Sequence, residues 1–96
     1  MKIETTSAVP SSAPMAPILS TLMALVVSME NATVPSPAAT AFRTAIRRKG
    51  DELVEAGGPE ALTHALAFVR NRAPSKAEPR EAILDAAWTG ISGWRS

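Results

Sequence analysis

Apolar side chains in this chain recur with the 3.6-residue period of a helix, and no stretch alternates them with the period of two that a strand requires. From Pro17 to Glu30, Ile18, Leu19, Leu22, Met23, Leu25, Val26, Val27 and Met29 occupy more than half of a helical circumference, leaving a strip of Ser20, Thr21, Ala24 and Ser28. A helix this apolar is expected at the buried centre of a bundle. A second helix is predicted from Pro37 to about Ala56, with Ala38, Phe42, Ala45, Ile46, Leu53 and Ala56 in phase. Ser36 suits its N-cap and Pro37 its first position. Gly50 lies inside that pattern, and the phase shared by Phe42 and Leu53 favours one continuous helix over a break. Gly57 and Gly58 end it.

Pro59 to about Arg72 forms the third helix, with Ala61, Leu62, Ala65, Leu66, Phe68 and Val69 on one face. Arg70 and Arg72 fall in its last turn, where cations are favoured. The fourth helix is predicted to start at Ser75 or Glu78, which together spell a capping box, and to bury Ile83, Leu84, Ala87, Trp88 and Ile91. Gly90 is its natural stop. The expected fold class is therefore all-α, a small bundle of about four helices. Residues 1–16 are rich in proline, serine and threonine and follow neither period, so they read as a flexible N-terminal arm. Residues 17–96 read as a single helical domain.

Composition narrows the class further. The chain has 96 residues, with 46% hydrophobic, 20% charged and a net charge of +1, which is globular rather than disordered composition. So small a net charge argues against coating nucleic acid by bulk electrostatics. The absence of cysteine excludes disulfides, thiolate metal sites and cysteine nucleophiles. Arginine outnumbers lysine seven to three and alanine occurs 18 times, a bias expected of a GC-rich bacterial or phage genome. The apolar segment 18–27 admits a rival assignment as a signal-peptide core, but it starts late, Glu4 offsets Lys2, and no small-residue cleavage site follows. The run from Pro17 to Met29 is too short, and too interrupted by serine and threonine, to span a bilayer. A cytoplasmic protein with no membrane span is expected.

Candidate chemistry is sparse. His64 stands alone, with no nucleophile, orienting carboxylate or second ligand at helical spacing. Asp51, Glu52, Glu55, Glu60, Glu78, Glu81 and Asp85 fall on expected polar faces. No phosphate-binding, dinucleotide-binding, nucleophile-elbow or zinc-helix motif occurs. No catalytic, cofactor-binding or metal-binding residue is assigned, and no cofactor is expected. Arg43, Arg47, Arg48 and Lys49, joined by Arg70 and Arg72, make the strongest nucleic-acid signal. Asp51 and Glu52 follow Arg47 and Arg48 by four residues and are expected to pair with them, and no aromatic residue is interleaved to stack bases. The tail "WTGISGW" carries both tryptophans. Trp88 is expected in the core, while Trp94 either closes the open end of the bundle or, with Ile91, serves as a candidate partner-binding residue.

The resulting expectation is a small non-catalytic helical interaction or regulatory protein of bacterial or phage origin, with an unidentified protein partner. Self-association through the first helix would add buried area to a small core, so a homodimer also fits. The alternative is a nucleic-acid-binding accessory factor that uses the basic helix face.

Overall fold

The computed structural model describes residues 15–94. These form four helices: α1 (Met15–Glu30), α2 (Pro37–Gly57), α3 (Glu60–Arg72) and α4 (Ala77–Trp88), with a 3₁₀ turn at Pro74–Lys76 before α4. No strand occurs among the described residues. The expected all-α bundle is thus the observed one. Helix α1 begins at Met15, two residues before the predicted start, and the proposed flexible arm otherwise lies outside the described residues.

Helix α2, not α1, is the hub. It packs against all three other helices, whereas α1 leans chiefly on α2 and barely meets α3. This corrects the expectation of a buried central α1. Only Ile18, Leu19, Leu22 and Val26 of α1 are buried, and Val27 is exposed. Apolar residues over more than half of its circumference did not secure the centre for α1, because α2 is longer and carries an apolar stripe along its full length. Ala39, Ile46, Gly50 and Leu53 define that stripe.

The helix ends follow local chemistry in two places and depart from it in a third. Ser36 Oγ accepts from the Ala39 amide at 3.1 Å, as an N-cap should. The Gly58 amide donates to Val54 O and closes α2. The capping box expected at Ser75 and Glu78 does not form, and α4 has no side-chain cap. The 3₁₀ turn removes the need for one: the amides of Lys76 and Ala77 donate to the Ala73 and Pro74 carbonyls. Pro79, in the first turn, has no amide to satisfy.

The stretch after α4 folds back on the bundle. The Ile91 amide donates to Trp88 O and the Trp94 amide to Ile91 O, two successive tight turns. Gly93 adopts φ +93° there, and a Cβ on it would lie 2.5 Å from the Pro59 Cβ, so only glycine fits. Trp88 is fully buried, and Trp94 sits edge-on to it with ring centroids 5.0 Å apart. Trp94 Nε1 donates to Asp85 Oδ1 at 3.1 Å, so its polar edge is satisfied as its ring closes the end of the core.

Candidate functional site: the groove between α1 and α3

Because α1 leans on α2, a seam stays open between α1 and α3. It is a groove of 590 Å³, with Ala16, Leu19, Ser20, Met23 and Val27 of α1 along one side, Phe68 and Arg72 of α3 on the other, and Arg80 of α4 reaching its floor. The α1 residues recur at three- and four-residue spacing, a single stripe about 16 Å long at 1.5 Å per residue. Phe68 is half-buried, and the Arg72 guanidinium lies over its ring at 4.5 Å. On the far side of this pair is a second hollow of 430 Å³, lined by His64, Ala67 and Asn71. Phe68 and Arg72 therefore form a ridge between two depressions.

The floor of the groove holds a charge that the sequence patterns did not single out. Arg80 is buried. Its Nε donates to Glu30 Oε2 at 2.9 Å and its Nη2 to Glu30 Oε1 at 3.3 Å, a bidentate pair. Nη1 donates to Val69 O at 3.1 Å and meets Met23 Sδ at 4.0 Å. One side chain thus ties α4 to α1 and α3. The signal was present in the spacing: Arg80 precedes Leu84, Ala87 and Trp88 by four, seven and eight residues, and Glu30 follows Val26 and Leu22 by four and eight. Both lie in apolar stripes, and two opposite charges so placed can be buried only by meeting each other.

The six basic residues of the alternative assignment do not converge on one unpaired surface. Arg47 Nη1 donates to Ala87 O at 3.2 Å and Thr89 O at 2.6 Å, capping the end of α4. Lys49 pairs with Glu52 at 3.1 Å and Arg70 with Glu81 at 3.4 Å. Arg72 stacks on Phe68 at the groove. Arg43 and Arg48 are exposed and make no ion pair with a described residue. At 100° per residue Arg48 points about 140° away from Arg43 around α2. The expected pairs of Arg47 with Asp51 and of Arg48 with Glu52 do not form. A base preceding its acid by four residues is the weaker helical order, and the free carbonyls of α4 compete for Arg47.

The other candidates are placed as follows. Ile91 and Trp94 are 8% exposed each and belong to the core cluster, so in this conformation they offer little surface to a partner. His64 is exposed at the second hollow. Among the described residues, no three histidine or acidic side chains come together in a way that could hold a metal ion, and no helix is long and apolar enough to cross a membrane. No family model, curated protein or solved structure matches the chain.

Proposed function

We propose that this protein is a non-catalytic interaction module, and that the groove between α1 and α3 is its working surface. One observation carries the proposal: an open seam lined by Leu19, Met23, Val27 and Phe68, edged by an arginine and holding no carboxylate along its lining. A groove of apolar side chains edged by a cation suits the apolar and acidic side chains of a partner. Phenylalanine, methionine and arginine are among the side-chain types enriched in protein–protein interfaces. A cytoplasmic setting in a bacterial or phage host is part of the same proposal and rests on composition alone.

Blocking the groove tests it. Ser20 is exposed and lines the seam, so Ser20→Trp fills the groove without disturbing the core. Glu55, exposed on α2, supplies a control through Glu55→Arg. Affinity capture from the native host, quantified by mass spectrometry, is expected to lose its partner with Ser20→Trp and keep it with Glu55→Arg. Equal capture by both variants would remove the groove from the function.

A further inference from the structure

The shape and charge of the groove specify what it holds. We propose that its occupant is a single amphipathic helix of a partner protein, about three turns long, that lays an apolar stripe on Leu19, Met23 and Val27 and presents a carboxylate to Arg72. This inference rests on the groove being the working surface and adds the chemistry of the partner.

Three observations lead there. The first is the type of wall. Both sides of the groove are helices whose backbone hydrogen bonds are internal, so an extended peptide would find no main-chain partners along them. A helix brings its own backbone bonds and needs only side-chain contact. The second is form. The α1 stripe from Ala16 to Val27 runs about 16 Å, three helical turns, with Leu19 buried at its base, Met23 half-buried, Val27 exposed, and the small Ala16 and Ser20 between them. Large and small side chains at this spacing match the side-chain rows of another helix. The groove is a partly open cleft, whereas small-molecule sites enclose most of their ligand.

The third observation is charge. Arg80 is neutralised by Glu30, so Arg72 sets the sign of the groove. Arg72 has no ion-pair partner among the described residues. Its guanidinium carbon lies 4.5 Å from the centre of the Phe68 ring, at an exposed position, so its N–H donors stay open to a carboxylate. A second copy of this chain does not supply the match through α1, because that helix carries no acidic residue before Glu30, which already serves Arg80.

The test is a titration of the full chain, methyl-labelled at methionine, leucine and valine, followed by NMR. The probe is a synthetic helical peptide of about 16 residues, long enough to hold a helix on a surface, with leucines along one face and one glutamate beside them. The control peptide carries lysine in place of that glutamate. The methyl signals of Leu19, Met23 and Val27 are expected to shift saturably with the glutamate peptide, with the lysine peptide roughly fivefold weaker, the upper end for an exposed ion pair. Arg72→Glu, at an exposed position, is expected to reverse that order. Equal binding of both peptides in the groove would overturn the acidic preference while leaving the groove reading intact. A groove filled by sodium decanoate and by neither peptide would replace the helix with a small amphiphile. Groove signals that move on dilution of the protein alone would make the occupant a second copy. No movement of these methyls with any probe would remove both this inference and the reading on which it rests.

Discussion

A Cβ built on Gly50 would lie 2.5 Å from Trp88 Nε1, 2.8 Å from its Cδ1 and 3.0 Å from Ile91 Cδ1. The indole cannot retreat, because Nε1 donates to Ile46 O at 2.9 Å and the ring is fully buried. Glycine in the middle of α2 is therefore the seat of Trp88. On helix propensity alone, Gly50→Ala should stabilise by about 1 kcal/mol. Packing reverses the sign, and we expect a loss of about 1–3 kcal/mol, as for other overpacked cores. Urea unfolding will read this as a lower midpoint at unchanged slope. The pattern of apolar positions could show that α2 continues through Gly50. It could not show why, since the reason is a tryptophan 38 residues away in sequence.

Arg80 is the other residue whose meaning lies in a distant partner. With its side chain 7% exposed and that of Glu30 12% exposed, removing one member strands the other. Arg80→Ala is expected to cost about 3–5 kcal/mol, the usual penalty for breaking a buried pair. Replacing both members together, Arg80→Met with Glu30→Leu, is expected to recover much of that loss, since apolar substitutes for a buried pair are often neutral or better. Chemical denaturation of the two variants side by side will separate them. If the double variant is as damaged as the single one, the pair supplies net stability of its own.

At the scale of the helices, local signals were read correctly where they act alone and wrongly where a neighbouring turn competes. Ser36 and Ser75 make the contrast. Both carry an N-cap side chain ahead of a helix, but only Ser36 Oγ receives an amide. Ser36→Ala is expected to cost about 1 kcal/mol, and Ser75→Ala close to nothing, by the usual worth of a cap. Thermal unfolding of the two variants will show the difference directly. The same limit explains α1. Its composition marked it for burial, but burial depends on which helix reaches every neighbour, and that role fell to α2. What α1 leaves uncovered becomes one wall of the groove. The groove was hidden from sequence reasoning because it is defined by a gap between helices, which no single periodicity contains. Phe68 belonged to the predicted face of α3, yet it stands at the edge of that face, half-buried and under Arg72.

At the scale of the whole molecule, the question is what its cations do. The chain carries ten basic and nine acidic residues, so any nucleic-acid affinity would have to come from local concentration rather than net charge. The described cations are dispersed instead: one caps α4, two pair with neighbouring acids, one stacks on a ring and one is buried. Arg43, Arg48 and Lys76 are exposed; the two arginines point in different directions around α2, and Lys76 lies in the 3₁₀ turn before α4. A duplex that contacts so few phosphates loses little counterion on binding. We therefore expect the affinity for random duplex DNA at physiological salt to be weaker than about 10⁻⁴ M, the loose end of nonspecific binding. The structure also sharpens the control. Arg47→Ala should lower stability, because it uncaps α4, so a loss of binding in that variant would be ambiguous. Arg43→Ala with Arg48→Ala removes the two cations of α2 that hold no structural contact among the described residues. Fluorescence anisotropy across a salt series will decide: micromolar binding that steepens at low salt and vanishes in the Arg43, Arg48 variant would mean that two dispersed arginines suffice for a phosphate backbone, and would restore the nucleic-acid reading over the groove.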